Sequence, residues 1–440
     1  MRVFGHYVLG SRVKLFFAEQ AAAGVLFLAA TASGGLGGAK ALWTAVACVL
    51  GIQVGLYLSD LYQPREDFPV RRWLFGAGAG TLLATGAWWK WGVGEPGIFL
   101  VAIALALLVA LLLRGLALSR PRRALVLGTG AKARAVAQLV RESSADCAVV
   151  GFVPDETSTD AGPSPLPILL GRSGELDLLS GRMEADLIVV ATPGPLPEEP
   201  LCRARAAGIE VVSAAGFAAR FARRLPPELL APSELVYGEG FFAPRAFDAV
   251  QRAIDLATAA LLLLFAAPAL ILAMLAVKLD SPGPVFYRQD RVGRRGRVFR
   301  LVKLRSMRED AEKGGAPVWA AAGDGRVTRV GRVLRRTRLD ELPQLFSVLK
   351  GDMSLVGPRP ERPYFVKKLR AELPLYGLRE AVKPGVTGWA QISYPYGATV
   401  EDAKAKLEYD LYYIQHRSPF LVLLVLAHTA RTVLTGKGAR

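Results

Sequence analysis

"AIDLATAALLLLFAAPALILAMLAV", Ala253 to Val277, decides how this chain is organised. From Leu256 to Val277 it carries no charge, and an apolar run of about 20 residues is what a membrane-crossing helix needs. Two features oppose a straight crossing. Arg245 and Arg252 precede the run while Lys278, Arg288 and Arg291 follow it, so the positive-inside bias puts both ends on one side. Pro268, in mid-segment, removes a backbone hydrogen bond and kinks the helix. The pattern predicts a re-entrant helix over 253–277 that enters the membrane, bends at Pro268 and returns. A soluble core helix would be shorter and less uniformly apolar.

Toward the N-terminus, four more apolar stretches occupy 15–33, 41–58, 73–91 and 97–118. "LAATAS" in the first resembles a signal-peptide cleavage site, but three further hydrophobic stretches favour a membrane anchor. Arg2, Arg12 and Lys14 precede the first stretch, Arg65, Arg71 and Arg72 separate the second from the third, and Arg120, Arg122 and Arg123 follow the fourth. The opposite loops carry only Lys40 and Lys90. Residues 1–120 therefore read as a four-helix transmembrane region with both ends in the cytoplasm.

Between the anchor and the re-entrant helix, residues 121–240 alternate short β-rich runs with helical ones. "RRALVLGTGAKARAVAQLV" reads as buried strand, glycine turn and helix, and "CAVVGFVPD", "ADLIVVATP" and "GIEVVSA" supply more strands. Such alternation implies a parallel α/β sheet. Gly128, Gly130 and Ala133 fit the GxGxx(G/A) fingerprint that lets a pyrophosphate approach a helix N-terminus. The acid expected about 20 residues later is met only late, by Asp155. A Rossmann-like module retained for packing or regulation, with no bound nucleotide, accounts for the same residues.

Composition agrees with this plan. At 440 residues the chain is too long for one compact domain. Hydrophobic residues make up 52%, mean hydropathy is +0.30, and the net charge of +17 suits an anionic partner. Three separated cysteines, Cys48, Cys147 and Cys202, exclude a disulfide framework or a zinc cluster. Three histidines leave little scope for imidazole chemistry.

The positive charge gathers just after the re-entrant helix. Residues 288–338 hold sixteen Lys or Arg against five Asp or Glu, and fourteen of the sixteen are arginine. Acidic lipid would be served equally well by lysine; arginine's planar fork favours bidentate phosphate recognition. Nucleic acid is disfavoured, because no RRM, KH or zinc-finger signature accompanies the charge.

That run leads into "RTRLDELPQLFSVLKGDMSLVGPRPERP", Arg336 to Pro363. Asp340 and Glu341 open a helix that Pro343 starts and Gly351 ends, so helix capping is one reading of the acid pair. Catalysis is the other. Adjacent residues on a helix point about 100° apart, so one carboxylate could attack phosphorus while its neighbour holds a magnesium ion. The prolines of "GPRP", Gly357–Pro360, would hold Arg359 ready as a phosphate clamp.

"FRLVKLRSM", "LRRTRLDELPQLFSVLKGDMSLVGPRP", "KPGVTGWAQI" and "YDLYYI" together resemble the signature blocks of the bacterial sugar transferase family, the monotopic phosphoglycosyl transferases. The whole chain is similar to the larger members, which add a four-helix membrane region and a Rossmann-like module. The resemblance implies a mainly helical cytoplasmic catalytic domain over 245–440, at the inner membrane of a bacterium. It implies transfer of a sugar-1-phosphate from a nucleotide diphosphate sugar, with UDP favoured, to undecaprenyl phosphate, releasing UMP and initiating exopolysaccharide, capsule or O-antigen synthesis. In that family Asp340 would be the nucleophile and Glu341 the Mg²⁺ ligand. Lys303, Arg305, Arg335 and Arg359 would surround the phosphates, with Asp410 a polar neighbour of the site. The larger relatives also suggest a homodimer.

Two positions depart from the family pattern. Ala267 stands before Pro268 where many members have serine, and Arg338 precedes Leu-Asp-Glu where a small polar residue is common. Two other functions fit parts of the chain. Membrane-anchored NAD-dependent nucleotide-sugar dehydratases and epimerases use YxxxK, which occurs at Tyr364–Lys368. A non-catalytic scaffold of polysaccharide export would use the basic face for lipid alone.

Overall fold

In the computed structural model the chain divides into two compact units between Ser213 and Ala214. The structure describes residues 2–3, 6–7, 10–33, 42–50, 52, 80–81, 84–85, 100–109, 121–143, 147–155, 171–237, 240–241, 245–308, 325–395, 397 and 399–435. Most of the third apolar stretch and parts of the second and fourth lie outside these residues. The first is the helix α1 (Gly10–Ser33). Ala23, Phe27 and Ala30 of α1 share one apolar cluster with Cys48 and Val49 from 42–50 and Ile103 and Ala106 from 100–109.

The first unit also contains the expected parallel sheet. Its strands are β1 (Arg122–Leu127), β2 (Cys147–Val153), β3 (Leu187–Val190) and β4 (Glu210–Ser213), in the order β2-β1-β3-β4. The central strand is buried from Ala124 to Leu127, which is why it reads as a continuous hydrophobic run. The helices α2 (Ala131–Ser143), α3 (Leu176–Arg182) and α4 (Glu198–Ala206) complete the alternation. Gly128 turns the chain from β1 toward α2 at φ 114°, and a Cβ there would stand 2.8 Å from the Ala191 carbonyl oxygen. Only glycine fits that turn. Asp155, just past β2, accepts a hydrogen bond from the Thr192 hydroxyl, just past β3.

The second unit takes in residues 214–237 as well, because they pack on it. Trp389 Nε1 donates to the Arg223 carbonyl at 2.9 Å, and the Leu225 N–H donates to the Glu408 carbonyl at 2.9 Å. The division thus falls before the expected boundary at 240, drawn there by packing that charge and hydropathy patterns do not report.

The Ala253–Val277 run lies within α5 (Arg245–Asp280), 36 residues and helical through Pro268. It is the one described helix long and apolar enough to cross a membrane. Its middle is bare: Leu264 is 70% exposed and Phe265 75%. Both ends are fastened to the same unit. Near the start, Gln251 Nε2 donates to Ser354 Oγ at 2.9 Å, Arg252 donates to the carbonyls of Val348 and Leu349 at 2.6 and 2.7 Å, and Asp255 accepts from the Leu355 N–H at 2.9 Å. Near the end, Ala273 and Val277 pack on Leu304 and Leu334.

The rest of this unit follows in short pieces. β5 (Phe286–Val292) and β6 (Val298–Leu304) form an antiparallel hairpin. α6 (Arg329–Thr337) and α7 (Gln344–Lys350) follow it. β7 (Ser354–Val356) pairs in parallel with β8 (Gly385–Thr387), and α8 (Pro363–Glu372) lies between them in sequence. The pair meets glycine to glycine: a Cβ on Gly385 would stand 2.1 Å from the Gly357 nitrogen, so the "GPRP" and "KPGVTG" blocks need glycine where they touch. α9 (Val400–Gln415) and α10 (Pro419–Thr435) close the unit.

Candidate active site

The acid pair sits on a single 3₁₀ turn, Leu339–Glu341, between α6 and α7. Arg338 caps α6 in the left-handed conformation, φ 60°, and reverses the chain. Leu339 then packs against the cluster of Leu304, Leu334, Ala273 and Val277, which pins the turn beside the returning end of α5. Burying one leucine therefore fixes where two carboxylates stand.

Those carboxylates meet different surroundings, as their spacing predicts. Glu341 Oε1 accepts from Lys303 Nζ at 2.8 Å and from Arg359 Nη2 at 2.7 Å. Burial alone would push this carboxyl up; Arg359 and Lys303 overcome it and hold it well below the usual carboxylate range. Asp340 is 8% exposed, and among the described residues no donor hydrogen-bonds its side chain. Burial and the adjoining Glu341 push its pKa up, while Lys303, Arg335 and Arg359 pull against the rise. Among the described residues neither carboxylate accepts a backbone N–H, so the pair does not cap α7. One acid is locked in an ion-pair network and the other faces three cations unbonded.

Lys303 and Arg359 thus stand beside the acid pair. Lys303 projects from β6, where it pairs with Tyr287 across the hairpin, and Arg359 from the turn after β7. Arg335 donates through Nε to Ser306 Oγ at 2.9 Å, and its charge still acts on Asp340. Arg305, expected at the phosphates, and Asp410, expected as a polar neighbour, bond to other groups. Arg305 is buried at the end of α5, where its guanidinium donates to the carbonyls of Pro282 at 2.8 Å and Ser281 at 2.7 Å. The same guanidinium reaches a last-turn carbonyl of α5, that of Val277, at 3.4 Å, one of the groups a helix end leaves without an internal partner. Asp410 is 1% exposed and accepts from Arg379 Nε at 2.8 Å, behind the Arg359 turn.

Arg379 and Arg291 were not picked out by sequence reasoning. Arg379 Nη2 donates to the carbonyl of Arg359 at 2.9 Å, and Arg291 Nη1 to that of Pro360, also at 2.9 Å. The signal was present: Asp410 stands alone in an aromatic run, and a buried carboxylate requires a cation.

No group of three or more metal-ligating side chains gathers among the described residues. Mg²⁺ is commonly held by one or two carboxylates plus substrate phosphates, and the acid pair fits that form. Both hydrogen bonds to Glu341 fall on Oε1, which leaves Oε2 for a metal. Tyr364 is exposed on α8 of the second unit, whereas Gly128 belongs to the first.

The bacterial sugar transferase family model matches residues 246–436. Over 191 residues the chain is 47% identical to an Aeromonas hydrophila UDP-N-acetylgalactosamine-undecaprenyl-phosphate N-acetylgalactosaminephosphotransferase, covering 43% of this chain and 45% of that protein. It is 45% identical over 198 residues to a Caulobacter vibrioides UDP-glucose:undecaprenyl-phosphate glucose-1-phosphate transferase, covering 44% of this chain and 73% of that one. An Escherichia coli protein with the same enzyme name is 43% identical over 192 residues, covering 43% of this chain and 41% of its own. The matched segment thus spans less than half the length of the Aeromonas and Escherichia relatives. It carries the acid pair, Lys303, Arg335 and the Arg359 turn, and by these residues and this likeness the chain belongs to the bacterial sugar transferase family.

Proposed function

We propose that this protein transfers a sugar-1-phosphate from a UDP-sugar to undecaprenyl phosphate through a covalent intermediate on Asp340. The observation that carries the reading is the contrast between the two acids: Glu341 is doubly ion-paired, while Asp340 is unbonded beside Lys303, Arg335 and Arg359. A carboxylate oxygen of Asp340 attacks the sugar-bearing phosphorus of the donor. The bond from that phosphorus to the bridging oxygen breaks, and UMP leaves with the electron pair. An oxygen of the lipid phosphate then attacks the phosphorus of the adduct, Asp340 departs as carboxylate, and the product is a lipid diphosphosugar. Arg335, Arg359 and Lys303 face the negative charge that builds on the phosphoryl oxygens. Glu341 would hold Mg²⁺, which when bound supplies further neutralisation of the donor diphosphate.

A lipid substrate requires the site to stand at a membrane surface, and α5 supports that. Both of its ends bind the second unit while its apolar middle is exposed, so a helix that dips into the cytoplasmic leaflet and returns fits better than one that crosses. The arginine excess after α5 favours the cytoplasmic face for this unit, and the N-terminal apolar stretches would add a multi-pass anchor. The reaction would begin the assembly of a surface polysaccharide. UMP release from a panel of UDP-sugars with undecaprenyl phosphate tests this function. Turnover of at least one donor by the wild type, absent in Asp340→Asn, is expected; no release from any donor would refute it.

A further inference from the structure

The turn that carries Arg359 is held from behind. Pro358 and Pro360 fix their own φ angles and restrict the residues before them. They leave ψ of Pro358, φ of Arg359 and ψ of Pro360 free, and rotation there would swing the Arg359 side chain. Two arginines from other elements stop it. Arg379 takes the Arg359 carbonyl and Arg291 the Pro360 carbonyl. Each is itself fastened. Arg379 Nε is bound by Asp410 at 2.8 Å and Nη1 donates to the Tyr376 hydroxyl at 2.7 Å, while Arg291 lies 3.6 Å from Glu361. Asp410, inside α9, and Glu341, on the catalytic turn, are thereby joined through Arg379 and Arg359.

We propose that Arg379, anchored by Asp410, is a positioning residue that sets the place of the Arg359 guanidinium, and that Asp410 acts through it without touching substrate. This rests on the proposed role of Arg359 at the phosphates. Lysine at 379 would keep the charge, yet a single ammonium lacks the planar fork that spans the carboxylate and the carbonyl together. A phosphate clamp displaced by about 1 Å can lose about a hundredfold in rate.

The test is a double-mutant cycle on the full chain in detergent, reading UMP release from UDP-glucose and UDP-N-acetylgalactosamine with undecaprenyl phosphate. Arg379→Lys should lower kcat/KM by about tenfold or more, within what a misplaced group costs. In an Arg359→Ala background the same change should do almost nothing, because its effect runs through Arg359. Losses that multiply would overturn the proposal. Asp410→Asn, which keeps an acceptor for Nε, should show the same non-additivity with a smaller loss, and it serves if Arg379→Lys does not fold. If the wild type releases UMP from neither donor, positioning is judged by hydrogen exchange. Faster exchange in a 355–362 peptide with unchanged exchange in 339–350 is expected for either variant; an unaltered 355–362 peptide would overturn it.

Discussion

Arg359 and Glu341, eighteen residues apart, meet at 2.7 Å, and the oxygen they share also takes Lys303 at 2.8 Å. Two cations are thereby drawn to one side of the acid turn. Asp340, one residue earlier, stands beside them with no hydrogen bond of its own among the described residues. A nucleophile bonded tightly to an arginine would have to break that bond before attacking. Here the neighbour takes the bonds, and the proposed nucleophile meets only the field of the cations.

Replacing Asp340 by Asn should abolish sugar-phosphate transfer, by at least about a thousandfold as for loss of other enzymic nucleophiles. The side chain makes no hydrogen bond among the described residues, so thermal unfolding should stay close to wild type. A variant that retains activity would remove Asp340 from the chemistry.

Glu341→Gln should cost most of the activity and also lower the melting temperature, because Lys303 and Arg359 would keep their positions with no counter-charge. Adding Lys303→Met should recover much of the lost stability and none of the activity. If the double variant melts as low as the single one, the ion pair is not what holds this turn.

Arg305→Lys should act on stability alone. The lysine can reach one of the carbonyls of Ser281 and Pro282 that the guanidinium now serves together, a loss of about 1–2 kcal/mol. The KM for the UDP-sugar should not move. A raised KM with unchanged melting would return Arg305 to the donor site.

Removing divalent metal with EDTA should stop UMP release, and Mg²⁺ should restore it. Glu341→Gln should raise the Mg²⁺ concentration needed for whatever activity remains. Full turnover in chelator would rule out the metal role.

A re-entrant α5 leaves both its ends on the cytoplasmic side. Single cysteines at Val250 and Leu279, in a chain whose three native cysteines are serine, should both react with an impermeant maleimide in inside-out vesicles and neither in right-side-out ones. Labelling of the two from opposite sides would show a crossing helix.

The parallel sheet, the long apolar helix and the acid turn were legible in the sequence because each is local. Strands buried on both faces read as unbroken hydrophobic runs, and a helix meeting lipid is apolar on every side. What the basic residues face is not local. Arg305 and Arg335 look alike in the chain, yet one serves carbonyls at a helix end and the other acts on Asp340. Asp410 reads as a polar neighbour of the site, whereas the partner that binds it, Arg379, comes from a turn thirty-one residues earlier. The boundary at Ser213 was hidden for the same reason, since residues 214–237 are held by Trp389 and Glu408 from far along the chain.

The most direct measurement is the intact mass of the protein after incubation with a UDP-sugar it turns over, with no lipid phosphate present. The account predicts a mass increase of one sugar phosphate, mapped to Asp340, with UMP released in equal amount and the adduct discharged when undecaprenyl phosphate is added. Normal turnover with the lipid, but no adduct at any donor concentration in its absence, would contradict it.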